Sequence, residues 1–188
     1  MIQDLILKNR SYRRFYQDHK ISIEELTELV NLARLSPSGK NLQPLKYFLS
    51  VDDETNEKIF STLAWAGYLK DWDGPEEGEK PSGYIIILGD TRLTKNFMCD
   101  HGIASQSMLL GAVEKGFGGC IFGSIKREKL KEFLKIENHF EVLLVIAIGK
   151  PKEKVVVEKV IDNNIKYFRD ENQTHYVPKR DLKDIIIS

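Results

Sequence analysis

Ser38, Asn41 and Gln43 stand close together in the nine-residue loop "SPSGKNLQP" (36–44). Their side chains both donate and accept hydrogen bonds in fixed directions. The loop joins an amphipathic helix pattern to an apolar strand pattern, where a shorter connection would suffice. Such side chains either cap the helix and bond the local backbone, or recognise a planar heterocycle with its own donors and acceptors. The loop by itself is compatible with both interpretations.

Arginines cluster near the N-terminus in "NRSYRRF" (9–15), where Arg10, Arg13 and Arg14 surround Ser11. A guanidinium group beside a hydroxyl suits a phosphate, because its planar fork donates parallel hydrogen bonds to two phosphate oxygens. A solvated basic turn after a short helix explains the same residues. The cluster alone is compatible with both a phosphate site and a solvated turn.

Glycines are frequent in "GFGGCIFGS" (116–124). A dinucleotide fingerprint needs its glycines between a strand and the following helix, whereas these follow a helix pattern and precede an apolar strand. Gly116 is explained as the end of the helix. Gly123 and Ser124 precede another helix that begins near Lys126, and glycine there lets a flat ligand approach the backbone.

The metal-ligand candidates of note are Cys99, His101, Cys120 and His139. Their spacing matches no zinc pattern, and Cys120 in an apolar strand is typical of a small buried hydrophobe. The sequence also has no G-x-S-x-G motif and no nucleophile with a dedicated base. We therefore predict no metal site and, if the protein is an enzyme, a cofactor that carries the chemistry.

The composition is that of an ordinary globular domain, with 41% hydrophobic and 30% charged residues in a chain of 188. Lys and Arg number 28, as do Asp and Glu, so no net field attracts nucleic acid or an anionic membrane. No apolar run is long enough to span a bilayer or form a signal peptide, and two cysteines suit a reducing compartment. We expect one soluble, cytoplasmic domain over 1–188.

The apolar pattern predicts the elements that position these residues: helices over 22–35, 54–69 and 103–113, and strands over 45–51, 84–88 and 142–149. Ser22 and Glu25 form a capping box at the start of the first of these helices, and Pro37 ends it. Because helices and strands alternate irregularly, we predict an α+β fold.

Two segments suggest contact with a second chain. The helix 103–113 has no charged residue, and such a helix is normally buried on all sides. The tail over 151–188 has too little apolar surface for a core of its own. An extension of this kind lies along something already folded, and with no second domain we expect a partner subunit.

Taken together, five motifs resemble those of the nitroreductase family of flavin enzymes. They are "RSYRRF", "SPSGKNLQP", "GFGGCIFGSI", "VIAIGKP" and "VPKRDL", in the family's order and over nearly the whole chain. The resemblance implies a mixed, mainly antiparallel sheet flanked by helices. It also implies an intertwined homodimer with FMN at the interface, in which the C-terminal extension wraps the partner subunit.

The resemblance implies a role for each group of residues. It places Arg10 and Ser11 on the FMN phosphate, together with Lys179 and Arg180 of the tail. It places Arg13, the one residue assigned a catalytic role, at flavin N1 and the C2 carbonyl. Two further groups are implied to contact the flavin ring: Pro37, Ser38, Asn41 and Gln43, which read its pyrimidine edge from the partner subunit, and Ile121, Phe122, Gly123 and Ser124, whose backbone lies beside it near N5.

This sequence departs from the family pattern at several points. Leu45 replaces a tryptophan that commonly follows Gln-Pro, and the resemblance assigns no role to Arg14. The segment "WAGYLKDWDGPEEGEKPSG" (65–83) is particular to this chain. Its Tyr68 and Trp72 either pack on the core, as Trp65 is expected to, or border the substrate pocket as a lid.

The function implied is FMN-dependent reduction of a small electrophilic compound, such as a nitro compound or quinone, by NADH or NADPH in a ping-pong cycle. Two alternatives remain. One is a specialised FMN oxidase, dehalogenase or flavin-fragmenting enzyme of the same fold. The other is a flavin- or nucleotide-binding module without turnover.

Overall fold

A five-stranded antiparallel sheet forms the centre of the protein in a computed structural model that describes residues 1–187. Its strands are β1 (Phe15–Tyr16), β2 (Leu45–Ser50), β3 (Gly83–Asp90), β4 (Gly118–Phe122) and β5 (Phe140–Pro151). The helices are α1 (Ile2–Lys8), α2 (Ile23–Leu35), α3 (Asp53–Phe60), α4 (Asp100–Glu114) and α5 (Arg127–Leu134). The long β5 pairs with β1, β3 and β4, and β2 pairs with the other edge of β3.

Helices cover both faces of this sheet, so every residue of β3 is buried. Ile85 and Ile87 pack against α2 and α4, whereas Tyr84, Ile86 and Leu88 pack against α3 and α5. A strand buried on both faces needs no alternation of polar and apolar residues, which is why its sequence is a continuous apolar run. The predicted α+β architecture and the strands over 84–88 and 142–149 are confirmed.

The start and end of α2 are as predicted. The Ser22 side chain accepts from the Glu25 amide, and the Glu25 carboxylate accepts from the Ser22 amide. The helix ends at Leu35, before Pro37. A side chain at Gly111 would collide with Leu32, so this glycine lets α4 lie close against α2.

The predicted helix over 54–69 is wrong beyond residue 60. From there the backbone finds partners in the segment after β4: Leu63 pairs with Ile125, and the Ala64 amide donates to the Ser124 carbonyl over 3.1 Å. Trp65 then packs edge-on against Phe122, with ring centroids 4.6 Å apart. These pairings replace the helical hydrogen bonds, although the apolar spacing continues.

Among the described residues the tail forms a second sheet, which the sequence did not predict. It consists of β6 (Val155–Lys159), β7 (Phe168–Arg169) and β8 (His175–Lys179), with β6 parallel and β7 antiparallel to β8. This sheet contacts its own chain, since Arg169 binds Glu153 and lies over the Trp72 ring, whereas wrapping of a partner subunit by the tail stays a prediction. Beyond it, Leu182, Ile185, Ile186 and Ile187 are exposed.

The helix α4, whose segment 103–113 has no charged residue, is buried on one side in the single chain. Ala104, Met108 and Ala112 are buried, whereas Gly102 and Gln106 are exposed. The predicted burial on all sides is therefore not reached in the single chain. No helix within residues 1–187 combines the length and the apolarity needed to cross a bilayer.

Candidate cofactor-binding site

Residues from both ends of the chain line one cleft of about 250 Å³. Arg10, Ser11 and Arg13 come from the segment before β1, and Lys179 ends β8. Asn9, Tyr167, His175 and Val177 complete the lining. Four of the five residues that the resemblance places on the phosphate or at flavin N1 therefore lie together.

The exception is Arg180, which does not line the cleft. Its guanidinium donates to the side chain of Asn163 over 2.9 Å, on the connection that follows β6. Consecutive residues of an extended segment point to opposite sides, so Lys179 and Arg180 cannot both face the cleft.

The backbone of the segment before β1, here called the arginine segment, is hydrogen-bonded to the central sheet. Ser11 forms a parallel bridge with Gly119, and the Tyr12 amide donates to the Gly119 carbonyl over 3.0 Å. A Cβ atom at Gly119 would lie 2.6 Å from the Ala147 carbonyl oxygen, so a larger residue there would disturb the pairing of β4 with β5. The Arg13 amide donates to the Glu153 carboxylate. The wall of the cleft formed by this segment is thus held by backbone contacts.

No carboxylate of residues 1–187 forms an ion pair with Arg10, Arg13 or Lys179. The Arg10 guanidinium donates to the Ile6 carbonyl over 2.8 Å. The Arg13 guanidinium donates to the Ser11 carbonyl over 3.2 Å, and its carbon lies 4.7 Å from the centre of the Tyr167 ring. Cations without a carboxylate partner, grouped around a cavity, are suited to bind an anion.

A buried ionic cluster lies behind this cleft and was not found by sequence reasoning. Solvent reaches no part of the side chains of Glu153 and His175, and Arg169 contacts Glu153 over 3.1 Å. Burial favours a raised pKa for Glu153, but its contacts with His175, the Arg13 amide and Arg169 outweigh burial and hold the pKa below its usual range. No local pattern marks these residues, because their contacts join distant segments.

The polar loop 36–44 is held by Asp100, the first residue of α4. The Ser38 hydroxyl donates to this carboxylate over 2.6 Å, and the Gly39 amide donates to it over 2.9 Å. The Gln43 amide then donates to the Ser38 oxygen over 3.0 Å. The Ser38 hydroxyl therefore fixes the loop, and its role toward a flavin stays a prediction.

Three residues of the same loop adopt a left-handed backbone: Lys40, Asn41 and Gln43 have φ values of 53°, 55° and 50°. This conformation is uncommon for residues other than glycine and is found where the surroundings enforce it, often at binding sites. The side chain of Asn41 is exposed and has no hydrogen-bond partner within residues 1–187. Its amide group is therefore free to contact a ligand.

Pro37, Ser38 and Gln43 line a second cavity of about 200 Å³, together with Asp100 and Tyr47. Burial and the charge of Asp100 raise the pKa of Tyr47 to about 12. This cavity lies at the first turn of α4, whereas Ser11 is paired with the strand that follows the last turn. The two cavities share no lining residue. One chain therefore does not bring the loop and the cleft onto one small ligand.

The end of β4 offers an open stretch of backbone. Ile121, Gly123 and Ser124 are exposed, whereas Phe122 is buried against Trp65. A Cβ atom at Gly123 would meet no atom within 4 Å. The space that a flat ligand would need beside this glycine is present.

Arg14, which the sequence left without a role, holds the 65–83 segment in place. Its guanidinium donates to both carboxylate oxygens of Glu79 over 2.5 Å each, and Lys152 approaches the same carboxylate to 2.9 Å. The hydrogen bonds from Arg14 lower the pKa of Glu79 to about 2, and those from Lys152 act in the same direction. Arg14 is therefore structural, unlike the neighbouring Arg13.

Tyr68 and Trp72 of this segment both contact the tail. The Arg169 guanidinium lies 4.2 Å from the Trp72 ring centre, and Tyr68 lies 4.9 Å from Tyr167, the residue that covers Arg13. Trp65 belongs to the core cluster around Phe122, as expected. Tyr68 is 47% exposed and reaches the cleft only through Tyr167. A role at the substrate pocket stays a prediction for both residues.

Cys120 is buried, and burial raises the pKa of its thiol to about 11, which excludes a thiolate nucleophile at neutral pH. Cys99 is exposed and forms no disulfide. Within residues 1–187, no three His, Cys, Asp or Glu side chains are placed to hold a metal ion.

Comparison with known proteins agrees with this architecture. The model of the "Nitroreductase family" matches residues 6–150. The Bacillus subtilis protein named "Putative NAD(P)H nitroreductase MhqN" is 30% identical, over 79% of this chain and 87% of that protein.

Two solved structures share the fold. A nitroreductase family protein from Streptococcus pneumoniae TIGR4 superposes with a TM-score of 0.71 at 18% identity, over 87% of this chain and 96% of that one. An FMN-dependent nitroreductase from Clostridium difficile R20291 superposes with a TM-score of 0.64 at 23% identity, over 87% and 92%. With the family match spanning both the loop and the arginine segment, the chain belongs to the nitroreductase family.

Proposed function

We propose that the protein is an FMN-dependent oxidoreductase. It reduces small electrophilic organic compounds, such as nitro compounds or quinones, with NADH or NADPH as the donor, and the two substrates occupy the site in turn. The observation that carries this proposal is the cleft at Arg10, Ser11, Arg13 and Lys179, where cations without carboxylate partners surround a cavity large enough for a phosphate group.

The described residues fit FMN in both charge and shape. Arg10, Ser11 and Lys179 would hold its phosphate, and the open backbone at Gly123 would lie beside its ring. Arg180 is not included, since it bonds Asn163 away from the cleft. When bound, the flavin accepts a hydride from the nicotinamide and passes it to the acceptor.

Arg13 would stabilise negative charge on the pyrimidine side of the flavin. Its guanidinium is held between the Tyr167 ring and the Ser11 carbonyl, so it needs little reorganisation when that charge develops. A preorganised donor of this kind lowers the free energy of a developing anion.

We further propose that each site is shared by two chains. Ser38 lies at the first turn of α4, whereas the cleft residue Ser11 pairs with β4 beyond the last turn of that helix, and the cavities at the two places share no lining residue. The exposed side of α4 and the aliphatic side chains of Ile2, Ile6 and Leu7 on α1 offer an apolar surface to a second copy. A homodimer would bring the loop of one chain to the cleft of the other.

The test is to record the visible spectrum of the purified protein, to identify the flavin released by heat with chromatography, and to add NADH or NADPH without air. We expect FMN rather than FAD, and loss of the oxidised-flavin absorbance on adding the donor. A colourless protein that takes up no FMN would contradict the proposal.

Two results would favour the alternatives. A yellow protein that oxidises neither NADH nor NADPH with any acceptor would be a flavin-binding module without turnover. A yellow protein that reacts with dioxygen or with a halogenated substrate instead of nitro compounds and quinones would be an FMN oxidase or dehalogenase of the same fold.

A further inference from the structure

His175 lines the cationic cleft but has no hydrogen-bond partner there. It is the first residue of β8, and none of its surface is exposed to solvent. Both ring nitrogens are buried without a hydrogen-bond partner, although Nδ1 lies 3.5 Å from Glu153 Oε2. Buried polar atoms in folded proteins are nearly always paired, so each exception needs an explanation. A ligand that forms a hydrogen bond with a ring nitrogen of His175 would be such an explanation.

Charges of both signs surround this ring. Glu153, from the connection between β5 and β6, is the carboxylate beside it, and Arg169 of β7 binds the same carboxylate oxygen, Oε2, that faces His175. Arg10, Arg13 and Lys179 line the same cleft as His175. The ring therefore lies between one carboxylate and four cations, with the Tyr167 ring centre 5.2 Å away. A dianion in the cleft would offset the cations and change this balance.

We propose that His175 is an additional phosphate-binding residue of the cleft and that it takes up a proton when a phosphate monoester binds. This inference rests on the proposed function, because the phosphate is taken to be that of FMN. Glu153 acts as the positioning residue, which holds Nδ1 so that Nε2 is left for the ligand. The class of ligand follows from the chemistry of the cleft, which offers guanidinium, ammonium and imidazolium donors to one group.

The number of protons on the His175 ring in the complex follows from the hydrogen-bond donors that the ring and the phosphate have. A neutral imidazole whose proton faces Glu153 has only a lone pair at Nε2, and a phosphate dianion has only acceptor oxygens. A hydrogen bond between them therefore needs one more proton. That proton comes from water or from a singly protonated phosphate, since phosphate monoesters lose their second proton near about pH 6. The ring then carries two protons, one toward Glu153 and one toward the phosphate.

The first experiment compares FMN with riboflavin, which lacks the phosphate. The dissociation constants of both are measured by flavin fluorescence for the wild type and for His175→Gln. We expect the FMN constant to rise by about ten- to a hundredfold, as for the loss of one hydrogen bond to a charged group, and the riboflavin constant to stay unchanged. His139→Gln is the matched control, because His139 also has a buried Nε2 without a partner but precedes the opposite end of β5.

The outcomes separate the two proposals. If the wild type binds FMN and His175→Gln binds it equally well, or loses FMN and riboflavin to the same extent, the role of His175 is wrong. If the wild type binds neither flavin, the proposed function is wrong.

A second measurement needs no substitution and so does not depend on the folding of a variant. Nitrogen NMR of the wild type, with labelled histidine, reports the protons on each ring nitrogen of His175. We expect both nitrogens to be protonated in the FMN complex and one in the riboflavin complex, at the same pH. An identical protonation state in the two complexes would overturn the proposal.

Discussion

The cleft and the polar loop use their polar side chains in different ways. In the cleft, Arg10, Arg13 and Lys179 have no carboxylate partners within residues 1–187. In the loop, the Ser38 hydroxyl donates to Asp100 and accepts from the Gln43 amide, so it fixes the backbone. A site that binds an anion gains from leaving its charges free, because an internal ion pair would have to be broken first. A site that reads the edge of a heterocycle gains from a fixed shape.

The largest effect should come from separating the two regions onto different chains. Arg13→Glu in the cleft and Asn41→Asp in the loop should each abolish activity in a homodimer. When the two variants are unfolded and refolded together, half of the dimers are mixed. One site of each mixed dimer carries both lesions and the other carries none. About a quarter of the wild-type activity should return, as measured by NAD(P)H oxidation with an acceptor.

The control is each variant refolded alone, which should stay inactive. If the two variants exchange subunits, as mass spectrometry of the mixture would show, and no activity returns, then cleft and loop do not combine across an interface.

A smaller effect is expected from removing the support of the loop. Asp100→Ala removes the acceptor for the Ser38 hydroxyl and the Gly39 amide, and it should lower the free energy of unfolding by about 3 kcal/mol. Urea denaturation measures this loss. Asp71→Ala, at an exposed aspartate without an ion pair in the described chain, should change stability by less than about 0.5 kcal/mol. Equal stability of both variants would show that Asp100 does not hold the loop.

Adjacent arginines should differ in their effect on the flavin. Arg13→Ala should lower the reduction potential by about 30–65 mV, because a hydrogen bond to a charged group contributes about 1.5–3 kcal/mol and about 30 mV corresponds to about 1.4 kcal/mol for two electrons. Arg14→Met should leave the potential unchanged, since Arg14 is paired with Glu79. Spectroelectrochemistry of both variants with FMN bound measures these reduction potentials. The same potential in Arg13→Ala as in the wild type would remove Arg13 from the N1 position.

The smallest effect concerns the ion pair beside the cleft. Because Arg14 lowers the pKa of Glu79 to about 2 from an ordinary value of 4.5, the folded state releases this proton more readily than the unfolded state. The stabilisation is therefore complete above about pH 4.5 and is lost as the pH falls toward 2. Glu79→Gln should be less stable than the wild type by about 1 kcal/mol at pH 7, and the difference should shrink below pH 4.5.

Urea denaturation at pH 7, 4.5 and 3 measures this dependence, with Glu76→Gln as the exposed control. A difference between wild type and Glu79→Gln that is constant across these pH values would show that Glu79 is not ionised by its partners.

Local patterns predicted the elements whose causes are local. The capping box at Ser22 and the strand β3 could be predicted because each depends on residues that are close together in the sequence. The end of α3 was not, since apolar spacing continues to Trp65 while the backbone pairs with Ile125 instead. Glu153 and His175 carry no local signal at all, since the charged residues around them resemble a solvated surface.

The family motifs identified the candidate site better than any single motif did. They placed Arg10, Arg13 and Lys179 together, and the cleft joins those three. They also included Arg180, whose side chain points elsewhere because it follows Lys179 directly. Motif position fixes the segment that reaches a site, whereas the direction of each side chain depends on local backbone geometry.

The pairing of the tail with the N-terminal segment has a consequence for synthesis of the protein. Glu153 accepts from the amide of Arg13, which is 140 positions earlier, and β8 must pair with β6 before Lys179 reaches the cleft. Contacts of such large sequence separation form late, because a long stretch of chain must be ordered to close them. On the ribosome the cleft cannot close until β8 has emerged. Nascent or truncated chains without β8 therefore lack His175, Val177 and Lys179 and have only part of the lining of the cleft.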